Sequence, residues 1–157
     1  MFRGMRREKQ QVSVDECKRV LKEAKRAVLS VIGDDGYPYG VPVNFIYDEK
    51  ENIIYLHGAT EGHKLDAIKK CDKVSFTTWD EGYKKEGDWA WYVTSVIAMG
   101  RAKIVADPKV MADKIMDLGI RFTNKDEVQG MIDRNIDRVS VIAIEIEHMT
   151  GKLVHEK

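Results

Sequence analysis

Beyond residue 26, the apolar residues of this chain fall in short runs at strand spacing, and clusters of turn-forming residues separate the runs. The first run, residues 27–32, is closed by Gly33-Asp34-Asp35-Gly36, which is a strong turn signal. Further runs occupy residues 37–47, 53–57, 73–79, 92–105 and 139–146. This pattern predicts mostly antiparallel strands, of which the first three form a meander.

Helical spacing is limited to short segments at the borders of these runs. Ser13 and Glu16 have the spacing of a capping box and begin a first helix. The apolar positions of that helix are Cys17, Val20, Leu21 and Ala24. We predict further helices over residues 62–70, from Pro108 onward and over residues 126–135. The order indicates an α+β, mostly β fold, in which a closed or nearly closed barrel leaves few strand edges exposed.

The composition excludes several broad classes of protein. The 157 residues suffice for one domain with a sizeable core, so we expect a single domain over residues 1–157. Lysine plus arginine equals aspartate plus glutamate, 26 each, which argues against a dedicated nucleic-acid binder. No apolar run approaches the roughly 20 residues that cross a bilayer, and no apolar signal core follows the basic start. We therefore expect a cytoplasmic protein that contacts neither membranes nor nucleic acid.

The distribution of cysteine and histidine gives no metal or disulfide pattern. Cys17 and Cys71 are far apart and no CxxC occurs, so we expect two small buried hydrophobes in a reducing compartment. His57 and His63 lack standard zinc spacing. The GxSxG, GxGxxG and P-loop motifs are also missing, which argues against a hydrolase or a Rossmann enzyme.

The segment 55–65 is the most informative for chemistry. A strand ends there in a loop with Gly58 and Gly62 and then begins a helix, whose free N–H groups and positive dipole end favour anions. Thr60, His63 and Lys64 add donors or charge, so the segment could hold a phosphate. From these residues alone, an ordinary turn is the commoner interpretation.

Three further features each have two interpretations. His57, at a strand end, could face a pocket or be a hydrogen-bonded structural histidine. Pro42 removes one backbone donor from its strand, which could leave an edge open to a planar heterocycle or protect that edge from aggregation. The aromatic residues around the charged loop 80–88 could line a pocket, a dimer interface or the core. The helical methionines Met111, Met116 and Met131 are expected in the core.

Ordered motifs over about residues 5–153 carry a family resemblance. They are Met5-Arg6-Arg7, Asp34-Asp35-Gly36-Tyr37-Pro38, Val41-Pro42-Val43-Asn44-Phe45, Leu56-His57-Gly58-Ala59 with Gly62 and Lys64, Ser95-Val96-Ile97, Gly100-Arg101-Ala102 and Thr150-Gly151-Lys152. In this order they resemble the pyridoxamine 5′-phosphate oxidase-like superfamily of FMN-binding split barrels, and most closely its nitroimidazole-resistance (Nim) branch. The resemblance implies a split antiparallel β-barrel with peripheral helices.

The resemblance also implies a homodimer with FMN in a groove at the interface. The backbone of Pro42, Val43, Asn44 and Phe45 would run beside the isoalloxazine ring. Near the flavin would lie His57, Gly58 and Ala59, with His57 placed to touch a substrate. The phosphate would be bound by Thr60, Gly62, His63 and Lys64, and the groove completed by Ser95 and Val96.

Two departures from the family pattern affect the expected activity. Val93 and Thr94 stand where relatives often have an aromatic and a basic residue, which removes a second charge from the phosphate site. The C-terminal arginine-rich substrate motif of pyridoxamine phosphate oxidases is missing from residues 151–157. Generic flavin redox chemistry is therefore favoured over vitamin B6 oxidation.

Two functions from different classes follow from the resemblance. The first is a flavin-dependent reductase that passes electrons from NAD(P)H or another donor to a small planar acceptor such as a nitroaromatic. The second is a non-catalytic flavin or haem carrier or sensor. The binding residues are the same in both, so the sequence does not separate them.

Overall fold

The computed structural model describes residues 1–154 of the chain. The described part contains the helices α1 Val14–Glu23, α2 His63–Lys70, α3 Pro108–Gly119 and α4 Lys125–Asn135. Its strands are β1 Arg26–Ile32, β2 Pro38–Asn44, β3 Ile46–Asp48, β4 Ile53–Ala59, β5 Lys73–Trp79, β6 Tyr83–Lys84, β7 Trp91–Ile104 and β8 Val139–Val154. Residues 155–157, the end of the segment without the arginine-rich motif, lie outside the described residues.

The sheet curls into a barrel because its two end strands, β2 and β3, are consecutive in the chain. The strand order is β2-β1-β5-β7-β8-β4-β3, and all neighbouring strands are antiparallel. β2 and β3 are thus at opposite ends of the order, although only Phe45 separates them in the chain. β2 also approaches β4, but these two described strands share no ladder. The fold is a split antiparallel β-barrel with peripheral helices, which confirms the prediction.

Apolar side chains from all parts of the barrel fill its interior. The fully buried rings of Phe45 and Phe76 meet edge to face, with their centroids 4.8 Å apart. Ile142 and Ile144 of β8 enter the same cluster. Each such side chain contributes about 1.5–3 kcal/mol relative to an exposed one. The interior is therefore a packed apolar core.

The helical insert between β7 and β8 covers the outer face of the barrel on one side. Val141 and Ala143 of β8 point outward and form a second cluster with Tyr55 and with Leu118 of α3. β8 is consequently apolar on both faces in this part. The insert is needed because the outward face of β8 would otherwise expose apolar area to water.

Several local predictions are confirmed at the level of single hydrogen bonds. The Glu16 N–H donates to Ser13 Oγ at 3.2 Å, although the Glu16 carboxylate binds the Arg19 guanidinium instead of completing a capping box. The Lys109 N–H donates to the Asp107 carboxylate at the start of α3. The helix predicted over residues 62–70 is present as α2, and Leu65, Ala67 and Ile68 are its buried residues.

The predicted second strand, residues 37–47, is wrong as one strand. The strand breaks at Phe45, which lies between β2 and β3. The ring of Phe45 is fully buried in the core. The predicted meander is also only partly present. β2 pairs with β1 and β3 pairs with β4, but the split separates β2 from β4.

The predicted last strand, residues 139–146, is too short. β8 continues to Val154 beside β7, and the register shifts between Met99 and Gly100. A Cβ at residue 100 would lie 2.0 Å from the Glu145 carbonyl oxygen, so only glycine fits this bulge.

Three predicted core positions and one predicted loop are also corrected. Met131 is 45% exposed and Met116 is half-buried, because α4 and α3 turn these side chains away from the core, while Met111 packs against the second cluster. Cys17 is buried, but Cys71 at the end of α2 is only half-buried. The loop 80–88 includes the short strand β6, and the Tyr83 ring stacks on Tyr92 with the ring centroids 5.1 Å apart.

Within residues 1–154, no helix combines the length and the apolar character that crossing a bilayer requires.

Candidate functional site

The split between β2 and β4, where the two strands approach without sharing a ladder, has polar residues on both sides, and we call it the groove. One wall is the outer edge of β2, whose other edge pairs with β1 and places Pro42 opposite Val28. The other wall is the end of β4 together with the start of α2, whose His63 ring stacks on Tyr39 of β2. β3 follows β2 after Phe45 and pairs with β4 from Ile46 and Tyr55 onward, so the end of β2 comes near the end of β4.

Only some side chains of the β2 wall are accessible in this groove. Pro42 and Asn44 are exposed, whereas Val43 and Phe45 point into the core. Any contact of Val43 or Phe45 with a ligand would therefore be made by the backbone. Because β2 is an edge strand, its outer N–H and C=O groups can pair with a ligand.

The end of β4 is held by the neighbouring strand β8. His57 pairs with Val141, and Gly58 pairs with Ser140. The buried Ser140 hydroxyl donates to the Ala59 carbonyl at 2.7 Å. This bond fixes the backbone at the point where β4 leaves the sheet and the loop to α2 begins.

Lys64 places an unpaired positive charge in the groove. Its Nζ lies so close to the backbone of Gly58 that a Cβ at residue 58 would be 2.7 Å away. The half-buried Lys64 side chain makes no ion pair with any carboxylate of residues 1–154. Gly62 precedes α2 with φ +130°, and the free N–H groups of the first helical turn add positive potential. The chemistry of this recess fits an anion.

The environment of His57 favours its neutral form. Although the side chain is exposed, the protein atoms packed around the imidazole lower its pKa, and the nearby Lys64 ammonium lowers it further. A neutral imidazole can donate one hydrogen bond and accept another.

His63 links the two walls of the groove. Its ring stacks on Tyr39 of β2 with the centroids 4.2 Å apart. The Asp34 N–H donates to His63 Nε2 at 3.3 Å, and the Asp34 carboxylate lies 3.6 Å from the same atom. The imidazole is thereby engaged with the β1–β2 turn, so the part of His63 open to an anion is its backbone N–H at the start of α2. The exposed Thr60 lies in the loop just before it.

Ser95 and Val96 are not in this groove. They lie on β7, which is separated from β2 by β5 and β1. Val96 is fully buried in the core, and Ser95 lies on the opposite face of its strand. Within one copy of the chain, these two residues cannot contact a molecule held between β2 and β4.

Sequence reasoning missed Arg121, which follows α3. Its guanidinium donates to the Phe45 carbonyl at 2.7 Å and to the carbonyls of Lys22, Glu23 and Ala24 at 2.9, 3.2 and 3.0 Å. Desolvation lowers its pKa. Arg121 thus ties the helical insert to the end of α1 and to the end of β2. No pattern in the sequence identifies it, because its acceptors are main-chain carbonyls.

A cavity of about 1140 Å³ lies elsewhere, between the end of α1 and the loop after β5. Arg19 lies in its wall and is bound by the carboxylates of Glu16 and Asp80, at 2.6 and 3.0 Å, and by that of Glu23. None of the predicted site residues lines it. The volume of a cavity therefore does not identify the candidate site. The charge of Lys64, which has no ion-pair partner among residues 1–154, identifies it better.

No group of three or more metal-ligating side chains is arranged around a common point in the described residues 1–154. The chemistry of the groove rests instead on one cation, one neutral imidazole and open backbone groups.

Comparison with known proteins gives a family match over most of the chain. A family model described as pyridoxamine 5′-phosphate oxidase matches residues 13–153. No curated protein matches the chain.

Solved structures share the fold at low sequence identity. A Bacteroides thetaiotaomicron protein, described in connection with 5-nitroimidazole antibiotic resistance, is 19% identical with a TM-score of 0.71, and the match covers 94% of this chain and 90% of the other. A conserved hypothetical protein of Mycobacterium tuberculosis is 19% identical with a TM-score of 0.79, over 95% and 90% of the two chains. An FAD-binding protein of Mycobacterium smegmatis is 17% identical with a TM-score of 0.67, over 94% and 99%.

Proposed function

The chain belongs to the pyridoxamine 5′-phosphate oxidase family, and from this premise we propose that it is an FMN-binding flavoprotein that acts as a reductase. The observation that carries the proposal is the unpaired Lys64 ammonium over Gly58, at the start of α2. A phosphate there would gain a charge-assisted contact and the N–H groups of the first helical turn. A flavin with a phosphate is therefore favoured over riboflavin.

The residues around the groove fit both ends of FMN. Gly58, Thr60, Gly62 and the backbone of His63 would surround the phosphate together with Lys64. The open edge of β2 at residues 42–45 would hydrogen-bond the polar edge of the ring, and His57 and Ala59 would lie beside it. Arg121 supports this wall by holding the Phe45 carbonyl.

A homodimer would complete the site. Ser95 is on the wrong side of the barrel for the groove of its own copy, so we infer that it serves the groove of a second copy, whereas the Val96 side chain stays buried in its own core. The outer face of β5 and β7 supports this, since it exposes large apolar side chains. These are Trp79, Trp91, Ile97 and Met99, which are 53%, 58%, 41% and 42% exposed. Exposed apolar patches of this kind mark interaction surfaces.

The bound flavin would supply the redox chemistry, accepting electrons from NAD(P)H or another donor and passing them to a small planar acceptor such as a nitroaromatic. The open edge of β2 and the end of β4 would hold the ring. His57, whose lowered pKa favours the neutral imidazole, would donate a hydrogen bond to the acceptor. The family description and the similarity to a protein linked with nitroimidazole resistance support this assignment.

We also propose that residues 1–157 form one FMN-binding domain and that the protein is cytoplasmic. The two cysteines are unbonded in the structure, which suits a reducing compartment.

Anaerobic mixing of the FMN-loaded protein with NADH or NADPH tests the reductase. We expect the visible flavin absorption to be lost faster than that of free FMN under the same conditions, and to return when a nitroaromatic is added. A protein that stays coloured with both nucleotides, or whose reduced form does not react with the nitroaromatic, would be a carrier instead.

A further inference from the structure

The N-terminal arm, residues 1–12, carries four cations. They are Arg3, Arg6, Arg7 and Lys9, and the one acidic residue of the arm is Glu8. Across the described part of the chain, none of the four makes an ion pair. A cluster of unpaired positive charge repels itself, so it is stabilised when an anion binds.

The arm is docked against the barrel. The Val12 N–H donates to the Gly151 carbonyl at 3.0 Å, and Gln11 forms a β-bridge with Lys152. At the other end, the Phe2 ring stacks on His148 of β8 with the centroids 4.6 Å apart and nearly parallel. The cations are therefore held at a defined place beside the outer face of β8.

Two buried polar atoms at the junction of the arm and β8 lack hydrogen-bond partners. They are Gln10 Oε1 and His148 Nε2. Gln10 lines a recess of about 450 Å³ together with Arg6, Arg7, Glu8 and Lys9. The recess thus gathers three cations and one carboxylate beside a residue whose buried amide oxygen lacks a partner.

We propose that this recess is a second anion site, which binds a phosphate group through Arg6 and Arg7. Guanidinium groups bind phosphate oxygens through paired, charge-assisted hydrogen bonds. In the proposed dimer the phosphate could come from two molecules. One is the flavin of the second copy, since Lys152 beside the arm pairs with Ser95, which we assign to the partner's groove; the recess would then share the single FMN phosphate with the Lys64 site of that copy. The other is the pyridine nucleotide donor, whose phosphate the recess would bind separately.

The test compares the double variant Arg6→Gln/Arg7→Gln with a matched control, Lys50→Gln/Lys109→Gln, which removes two exposed charges far from the arm. FMN, riboflavin, NADPH and inorganic pyrophosphate are titrated into each protein. We expect the arm variant to bind pyrophosphate and one of the two phosphorylated ligands about ten- to hundredfold more weakly. Riboflavin binding and the control should match the wild type.

The results distinguish FMN from NADPH as the source of the phosphate. They also distinguish failure of the second anion site from failure of the proposed function. Weaker FMN binding assigns the recess to the flavin, whereas weaker NADPH binding with unchanged FMN assigns it to the donor. Unchanged binding of all phosphorylated probes by the arm variant overturns the second site. Wild-type protein that binds pyrophosphate through the arm but ignores FMN would overturn the proposed function and leave the second site standing.

Discussion

The Lys64 ammonium lies over the backbone of Gly58, at the distance where a single methyl group on residue 58 would touch it. That Cβ would be 2.7 Å from Nζ and 3.0 Å from Cε. The glycine therefore provides the space that the charge occupies. Because the contact is with the end of a flexible side chain, the charge can be displaced without disturbing the barrel.

Gly58→Ala should weaken FMN binding while the protein stays folded. The new methyl group displaces the Lys64 ammonium from the phosphate recess, but it meets no backbone atom. Isothermal titration with FMN and with riboflavin measures the effect, and Gly130→Ala on α4 is the control. If Gly58→Ala lowers the affinity for both flavins equally, the methyl group disturbs the ring site rather than the phosphate site.

Lys64→Ala should reduce the affinity for FMN by about 1.5–3 kcal/mol, because it removes one charge-assisted contact with the phosphate. Riboflavin, which has no phosphate, should bind both proteins equally. Lys69→Ala removes an exposed charge from the same helix and should have no effect. Unchanged FMN affinity in Lys64→Ala would rule out the phosphate assignment.

His57→Ala should leave FMN binding intact and slow the reduction of the acceptor. The imidazole is assigned to the acceptor and not to the cofactor, so its loss removes a donor group from the second half of the reaction. Stopped-flow measurement of flavin reduction and of its reoxidation by a nitroaromatic separates the two steps. Loss of the flavin from this variant would show that the role of His57 is wrongly assigned.

The lowered pKa of His57 predicts a pH dependence of stability. The unfolded chain, with a histidine pKa near 6.5, binds the proton more readily than the folded protein. The contribution of this group is therefore complete above about pH 6.5 and is lost as the pH falls from there towards the folded pKa. Urea unfolding of wild type and His57→Gln between about pH 7.5 and 5.5 checks the sign. A wild type that loses no more stability than the variant would contradict it.

Arg121→Gln should destabilise the protein and loosen the β2 wall. The substitution leaves carbonyls at the end of α1 and at Phe45 without donors, which costs about 1–3 kcal/mol. Thermal unfolding measures the first effect, and hydrogen exchange at residues 44–46 measures the second. Arg134→Gln, on the exposed side of α4, is the matched control. Equal exchange at residues 44–46 in both variants would show that Arg121 does not support this wall.

Local signals in the sequence predicted the elements that depend on neighbouring residues. The Ser13 cap and the helix that begins at Pro108 follow from spacing and propensity alone. Elements that depend on distant contacts were predicted less well. Phe45 breaks its strand because the barrel must close there, and β8 continues past Ile146 with a register shift opposite Gly100.

The residues of the candidate site also differ in whether the local sequence predicts their position. Gly58, Gly62 and Lys64 are close in sequence, so their convergence was predictable from one strand-to-helix turn. The distance of Ser95 and Val96 from the groove follows from the strand order, which no local pattern encodes. Arg121 acts on carbonyls of residues about 76 to 99 positions away, and such acceptors have no sequence signature.

The most direct test titrates FMN into the apoprotein while the flavin fluorescence and the sedimentation coefficient are followed. We predict saturable binding by a dimer, with an affinity that falls markedly when riboflavin replaces FMN. A colourless monomer whose sedimentation and fluorescence ignore added FMN would contradict the account.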